Sequence, residues 1–215
     1  TVEDLKTEEG ELHPVQQALV NTNATQCGFC TPGFAMSLFA EMHGKNSADL
    51  SDINNVLAGN LCRCTGYGPI IEAAKSIAEN TPTDKFAARQ EQTIKLLKAL
   101  SEEGSLSLQG SARQYFAPKS TTDLGALLAE HPAATILAGA TDIGLWVTKQ
   151  HRELETIIYV GQIESLKKIY IEDNQLVIGA GVTYTKAWDM LQENFGDFGE
   201  LIRRVASTQI RNSGT

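Results

Sequence analysis

The sequence predicts an α+β chain of two parts, a small bundle of four helices followed by a mixed α/β part. Three observations indicate this. Residues 1–80 carry apolar side chains at helical spacing, in segments that begin near proline or a capping residue and end near glycine. From Tyr115 onward, strand-like and helix-like segments alternate. All four cysteines lie in the first part, and the second part has none.

Each apolar pattern in residues 1–80 predicts one helix. The four helices are expected to begin at Pro14, after Thr31 as cap, after Ser51 as cap, and at Pro69. Gly44 and Gly59 are expected to end the second and third helices. One pair of cysteines then precedes the second helix, and the other pair lies between the third and fourth helices. The cysteines are therefore expected to meet at one end of the bundle.

Residues 81–113 are expected to form a linker, because ENTPTD breaks the helical pattern and the Ser/Gly-rich SLSLQGSAR follows a polar amphipathic stretch. In residues 114–215 the pattern predicts a capped helix in STTDLGALLAEHP, a strand in ATILAG, a helix in TDIGLWVTKQ and a strand in TIIYVG. A hairpin around Asp173-Asn174 and two further helices follow. The terminal RNSGT is expected to be a polar turn, so that the chain stops inside its second domain.

Composition and charge exclude several classes of protein. A hydrophobic content of 42% and a charged content of 20% are those of a globular protein, and no apolar run approaches the ~18 residues of a membrane span. Residues 1–84 carry 4 Lys and Arg against 11 Asp and Glu, so a nucleic-acid partner is not expected. The acidic surface is expected to be solvated, with docking to a basic partner as the alternative. No signal segment precedes the bundle, and a cytoplasmic location is expected.

The four cysteines follow the pattern C-x2-C, 31 residues, C-x-C. Disulfides are one interpretation, although four cysteines confined to one helical module do not suit a stapled secreted fold. Structural zinc is a second, since Cys27-x-x-Cys30 resembles a zinc knuckle, but the single residue between Cys62 and Cys64 is tighter than zinc sites usually have. A [2Fe–2S] cluster, which takes two thiolates per iron, is the third and is favoured. Nearby glycines, among them Gly28 and Gly33, would bring N–H groups close, and helix N-termini follow both pairs.

The stretch LHPVQQALV…QCGFCTPGFAMSL…INNVLAGNLCRCTGYGPIIEAA resembles the second [2Fe–2S] module of the xanthine dehydrogenase family of molybdenum hydroxylases. The resemblance runs from about Leu12 to Ile77 and includes the 31-residue gap. It implies a four-helix [2Fe–2S]-binding bundle, with Gln26 and Cys64 against the molybdopterin of a partner domain or subunit. It also implies a second, ferredoxin-like [2Fe–2S] domain as a partner. The cluster ligands that it implies are Cys27, Cys30, Cys62 and Cys64.

ILAGATDIGLWVTK resembles the first flavin loop of the same family, which implies that residues 114–215 are the N-terminal part of an α/β FAD-binding domain. A strand entering a glycine turn before a helix could hold a pyrophosphate, although a simple capped turn would show the same pattern. GAGVTY begins like a dinucleotide fingerprint but has Tyr184 in place of the third glycine, so a structural role is expected. The expected FAD contacts are Ile136, Leu137, Ala138, Gly139, Ala140, Thr141, Asp142, Ile143 and Thr215, the last preceding a second flavin loop.

The resemblance implies the electron-transfer part of a xanthine dehydrogenase. Electrons from purine hydroxylation at molybdopterin would pass through the cluster to FAD and then to NAD+. The alternatives are an aldehyde oxidase or another molybdenum hydroxylase, a redox carrier without catalysis, and a zinc-stabilised interaction module. No catalytic residue is expected. The four histidines lack metal-ligand spacing and are expected to be surface or packing residues, and Trp146 and Trp188 are expected to pack in the core.

Overall fold

The computed structural model describes residues 1–80, 83–100 and 104–215. The chain separates into two compact units, Thr1–Ser101 and Glu102–Thr215. In the described part of the chain, no helix has both the length and the apolar character that a membrane crossing requires. The two units are considered one at a time below.

The first unit is helical. A single 3-10 turn at Val2–Leu5 precedes the helices α1 (Pro14–Asn21), α2 (Thr31–Met42), α3 (Leu50–Leu57), α4 (Gly68–Asn80) and α5 (Lys85–Ala99). The first four are the helices that the apolar patterns predict. Their starts differ in detail, because Cys30 rather than Thr31 occupies the cap position of α2. Asp49 rather than Ser51 caps α3, since its Oδ1 accepts hydrogen bonds from the amides of Ser51 and Asp52 at 2.8 and 3.3 Å.

The bundle core is a single apolar cluster drawn from all four predicted helices. Each helix contributes at least one large buried side chain, namely Val15 of α1, Phe34 of α2, Ile53 of α3 and Ile70 of α4. Cys30, Cys62 and Tyr67 pack against the edge of this cluster. The cysteine loops therefore begin at the edge of the core. Because the core is closely packed, its contacts restrict the positions of the Cys30 and Cys62 thiols.

A His–Asp–His cluster, buried at His13 and Asp84 and half-exposed at His43, joins α5 to the bundle. Asp84 Oδ2 lies 2.7 Å from His13 Nε2 and 2.8 Å from His43 Nε2. Its other oxygen accepts hydrogen bonds from the amides of Phe86 and Ala87, so that Asp84 also caps α5. The side chains of His13 and Asp84 are 2% and 3% exposed. His13 Nδ1 accepts from the Val15 amide, which makes Nε2 the nitrogen that donates to Asp84. His13 is thus a packing residue as expected, but a buried one with a defined partner.

Asp84→Ala is expected to destabilise the first unit by about 2–4 kcal/mol, because it leaves the His13 N–H unpaired in the core and removes the cap of α5. Urea unfolding followed by far-UV circular dichroism measures this. Glu8→Ala is the matched control. Glu8 also contacts α5, through Arg89, but its carboxylate is 82% exposed, so the substitution should change the stability little. Equal effects of the two variants would contradict the structural role of Asp84.

The pKa of Asp84 indicates how this cluster depends on pH. Burial raises this pKa, but hydrogen bonds from the Ala87 amide, His13 and His43 outweigh it, so the pKa lies below its ordinary value of 3.8. The stability that these bonds contribute is therefore fully present above pH 3.8 and is lost as the pH falls through the lower folded-state pKa.

The second unit combines a four-stranded sheet with helices and a separate hairpin. In chain order its strands and α-helices are β1 (Leu106–Gln109), β2 (Gln114–Ala117), α6 (Thr121–Glu130), β3 (Thr135–Leu137), α7 (Ile143–Thr148), β4 (Thr156–Tyr159), β5 (Ile169–Glu172), β6 (Gln175–Ile178), α8 (Tyr184–Asn194), α9 (Gly196–Arg204) and α10 (Thr208–Ser213), with a 3-10 turn at Glu164–Lys167. The strand order is β1-β2-β4-β3, with β2, β4 and β3 parallel and β1 antiparallel to β2. This is the mixed α/β character that the alternating patterns predict.

Two predictions about residues 81–215 were wrong. The expected linker, residues 81–113, contains α5 and also β1, which pairs with β2 through Leu106↔Ala117 to Gln109↔Gln114. The strand was missed because it is a four-residue edge strand inside a Ser/Gly-rich stretch, held by backbone hydrogen bonds, and its two leucines are not buried. The terminal RNSGT is not a free turn, since α10 runs to Ser213 and buries Arg211. Residues 81, 82 and 101–103 of the expected linker lie outside the described residues.

The predicted hairpin and the sheet core provide the framework of the second unit. Asp173 and Asn174 both have positive φ, 47° and 60°, which is the backbone of a two-residue hairpin turn between β5 and β6. Ile158 of the central strand β4 is fully buried, as is Ile163 in the loop that follows it. Val182, Ala187 and Leu191 pack with Ile202 of α9 in a second cluster.

Candidate cofactor sites

The four cysteines lie on two loops at the edge of the bundle core. Cys27 and Cys30 precede α2, and Cys62 and Cys64 precede α4. Cys27 and Cys64 are exposed, Cys30 and Cys62 are half-buried, and none forms a disulfide. The structure therefore brings the two distant pairs to one surface of the bundle, as the sequence predicts.

The sulfur atoms pair across the two loops rather than within them. Cys27 Sγ and Cys64 Sγ lie 3.5 Å apart. The thiols of Cys30 and Cys62 likewise hydrogen-bond to each other. Among residues 1–80, 83–100 and 104–215, no three His, Cys, Asp or Glu side chains are grouped around the position of a single metal ion. Two sulfur pairs side by side are the donor set that two bridged irons require.

Hydrogen bonds from its own loop prepare Cys62 to act as a thiolate. The Thr65 hydroxyl lies 3.2 Å from Cys62 Sγ, and the amides of Thr65 and Cys64 donate to it at 3.4 Å. These bonds, that of the hydroxyl first, lower the pKa of Cys62 to about 7. A bond from the Phe29 amide is the main cause that lowers the pKa of Cys27. Burial raises the pKa of Cys30, and the shared bond with Cys27 raises that of Cys64.

Backbone conformations of the left-handed region shape both cysteine loops. Gly28 and Gly66 have φ of 83° and 69°, which side chains rarely adopt, and each glycine opens onto free space. Gly33 has a different role, because a Cβ there would lie 3.0 Å from Asn60 Oδ1. Tyr67 also has a positive φ, 67°, and its hydroxyl accepts a hydrogen bond from the Cys62 amide at 3.0 Å. Tyr67 therefore fixes the second loop against the core.

The surface around the thiols is open and partly apolar. Gln26 is exposed beside Cys27. Phe29 and Leu61, one in each cysteine loop, have 95% and 82% of their surface exposed.

The predicted flavin segment, residues 136–143, contains the end of β3, an exposed turn and the first residue of α7. Ala140, not Gly139, has the positive φ in this turn, 63°. Gly139 is needed for close packing instead, because a Cβ there would lie 1.5 Å from the carbonyl oxygen of Ser213. The turn thus contacts the end of α10, which leads to Thr215.

A cavity of about 340 Å³ lies where these two segments meet. Three of the predicted flavin residues line it, namely Ala138, Gly139 and Thr215. The other six, Ile136, Leu137, Ala140, Thr141, Asp142 and Ile143, are not among its lining residues. Sequence reasoning missed Tyr159 at the end of β4 and Thr183 and Lys186 at the start of α8. GAGVTY, which was expected to be structural, contributes Gly181 and Thr183 to this cavity.

Trp188 differs from the expectation of simple core packing. Its Nε1 atom is buried and has no hydrogen-bond partner among the described residues. Trp146 lies under the guanidinium group of Arg152, at 4.2 Å from the ring centroid, and is half-buried.

Comparison with known proteins decides the family. Residues 1–75 match the family described as [2Fe-2S] binding domain, and residues 109–215 match the FAD binding domain in molybdopterin dehydrogenase. The chain belongs to the molybdenum hydroxylase family. Its first unit is a [2Fe–2S]-binding domain, and its second contains FAD-binding-domain sequence, as the resemblance implied.

The relatives of this molybdenum hydroxylase chain are named for several different enzyme activities. It is 27% identical to aldehyde oxidase 2 of Macaca fascicularis over 99% of the chain, and 26% identical to xanthine dehydrogenase 1 of Arabidopsis thaliana over 94%. It spans about a fifth of the length of these relatives, 20% in both cases. Among solved structures it is similar to carbon monoxide dehydrogenase of Hydrogenophaga pseudoflava, with 27% identity, a TM-score of 0.45, and coverage of 50% of this chain and 39% of that one.

Proposed function

We propose that the chain is the electron-transfer part of a xanthine dehydrogenase, carrying electrons from a molybdopterin centre on a partner domain or subunit to FAD. The cross-loop pairing of the four thiols is the observation that carries this proposal. Cys27 with Cys64 would hold one iron and Cys30 with Cys62 the other, because these are the sulfur pairs that lie together. When bound, the cluster accepts and passes on single electrons, and FAD collects two of them for a two-electron acceptor.

The residues present fit a [2Fe–2S] cluster. The donor set is four thiols free of disulfide bonds, one of which has its pKa lowered to about 7 by hydrogen bonds from its own loop. The first turns of α2 and α4 directly follow the two cysteine pairs, and their positive ends favour an anionic group. Half-buried Cys30 and Cys62 pack on the bundle core, which excludes water from one side of the site.

The residues present also fit part of an FAD site. Ala138, Gly139 and Thr215 line the same cavity. Both segments that the family resemblance assigns to flavin binding therefore reach this cavity. Its lining includes two lysines and three serine or threonine residues, whose ammonium and hydroxyl groups suit the polar half of a dinucleotide rather than the isoalloxazine ring.

The exposed surface around Cys27 and Cys64 supports a molybdopterin-containing partner at this position. Gln26 would face that cofactor, and Phe29 and Leu61 would be covered by the partner. The proposal also includes a partner, a ferredoxin-like domain with a second cluster. It includes NAD+ as the electron acceptor and a cytoplasmic location. Four reduced thiols are usual in that compartment.

Aldehyde oxidation is the second candidate, because an aldehyde oxidase matches the chain as closely as a xanthine dehydrogenase does. Turnover of xanthine with NAD+ by the assembled enzyme, and little turnover of aldehydes, would support the proposal. The reverse preference would favour the aldehyde oxidase alternative.

Iron and sulfide analysis tests the first step. The chain of residues 1–215, purified without oxygen, is expected to contain two irons and two sulfides. Its visible absorption should bleach on reduction with dithionite. A colourless protein with one tightly bound zinc would contradict the proposal and support the zinc alternative.

A further inference from the structure

The cavity beside Gly139 has a positive lining. Its charged members are Lys167 and Lys186, and none of its lining residues in the described chain is acidic. Lys167 Nζ contacts the exposed Glu164 at 2.7 Å, outside the lining, and Glu164 also interacts electrostatically, more weakly, with Lys186. Lys186 forms no ion pair with a carboxylate among the described residues. An anion of matching size is therefore the ligand that this cavity suits.

Several contacts hold Lys186 in place. It lies in the first turn of α8, where its amide donates to the Thr183 hydroxyl at 3.3 Å. Its Nζ donates to the carbonyl oxygen of Lys167 at 2.7 Å, which holds the ammonium group at the cavity wall. A lysine ammonium has three donors, so two remain for a ligand. The N-terminal end of the 11-residue α8 adds positive potential in the same direction.

Three hydroxyl-bearing residues of the lining complete a polar site. Ser213 and Thr215 line the cavity from the end of α10, and Thr183 lines it from the start of α8. The amide of Tyr184 donates to the Gly214 carbonyl at 2.9 Å, which ties the two segments together. Positive charge, hydroxyl donors and backbone turns together are the features that recognise phosphate oxygens.

We propose that Lys186, with Lys167, binds the diphosphate group of the flavin's ADP half and thereby selects FAD over flavins without that group. This inference rests on the proposed FAD-binding function and assigns the recognition of the dinucleotide to a residue outside both flavin loops. The ammonium group of Lys186 neutralises part of the diphosphate charge, and the Ser213 and Thr215 hydroxyls donate to its oxygens.

Binding of ADP, FAD and riboflavin to the flavin-free native polypeptide that contains this chain tests the inference. Calorimetry suits ADP, and flavin fluorescence suits the other two. Lys186→Met is expected to weaken ADP and FAD binding by a factor on the order of 10 while leaving riboflavin binding unchanged. It should also reduce the dependence of ADP affinity on salt. Lys186→Arg should restore most of the affinity.

Lys168→Met is the matched control, since it removes the same charge from an exposed residue that does not line the cavity. Equal ADP affinity in Lys186→Met and Lys168→Met would overturn the inference while leaving the proposed FAD function intact. Equal weakening of riboflavin and ADP by Lys186→Met would also overturn it, because that result indicates a structural role. Failure of the wild-type polypeptide to bind either FAD or ADP would overturn the proposed FAD function and this inference together.

Discussion

Alanine in place of Cys62 is expected to reduce the iron and sulfide content of the chain to roughly a tenth of the wild-type value or less, because a [2Fe–2S] cluster takes four thiolates and the chain has no spare cysteine. Cys62 is the strongest candidate for this effect. Three hydrogen bonds converge on its sulfur, and its amide is fixed by Tyr67. Chemical analysis and visible absorption measure the loss, and far-UV circular dichroism shows whether the helices persist.

Thr65 supplies the variants that separate ligation from tuning. Thr65→Ser keeps the hydroxyl group near Cys62 Sγ and is expected to keep the cluster at its wild-type potential. Thr65→Val removes that hydroxyl group, and with it the acceptor for the Tyr67 amide. It should retain the cluster but lower its reduction potential, because hydrogen bonds to the sulfur atoms stabilise the more negative reduced state. Full cluster content in Cys62→Ala would refute the assignment of Cys62 as a ligand.

The helices of the first unit were predictable because their signals are local. Proline at the first turn, apolar side chains at helical spacing and a polar capping residue act within a few residues of each other. These local signals predicted the positions of α1 to α4 and, with them, the meeting of both cysteine pairs at one end of the bundle. The caps of α2 and α3 were misassigned by one and two positions, since several neighbouring residues could accept the same amide bonds.

The missed features depend on contacts between distant residues. Asp84 lies 71 residues from His13, and no local pattern predicts that the two side chains meet in a buried cluster. The edge strand β1 is specified by its backbone partners in β2 rather than by its own side chains. Lys186 belongs to a helix with an ordinary amphipathic pattern, and only the tertiary arrangement brings it to the cavity of Gly139.

The pairing of the thiols also required the structure. Sequence spacing groups Cys27 with Cys30 and Cys62 with Cys64, but the short sulfur–sulfur distance joins Cys27 to Cys64. Each iron would then be held by both loops. Such cross-loop ligation couples the loop before α2 to the loop before α4, so that cluster binding stabilises the contact between these helices as well as the loops themselves.

Gly139→Ala is expected to destabilise the second unit by about 3 kcal/mol and to weaken FAD binding by more than about tenfold. The new Cβ would lie 1.5 Å from the Ser213 oxygen and 2.4 Å from its carbonyl carbon. Both are backbone atoms, which cannot rotate away as the end of a flexible side chain would. The turn after β3 and the end of α10 must therefore separate, and both of these segments line the cavity.

Gly144→Ala is the control, because Gly144 lies within α7 and a Cβ there meets nothing within 4 Å. Alanine should stabilise this helix slightly, by about 0.5–1 kcal/mol, since it reduces the freedom of the unfolded chain. Urea unfolding and FAD titration of both variants make the comparison. Gly139→Ala with wild-type stability would show that the two segments separate easily, and wild-type FAD affinity would place the flavin away from this contact. The reason for glycine at the flavin turn is thus the approach of a second chain segment, since the left-handed residue of the turn is Ala140.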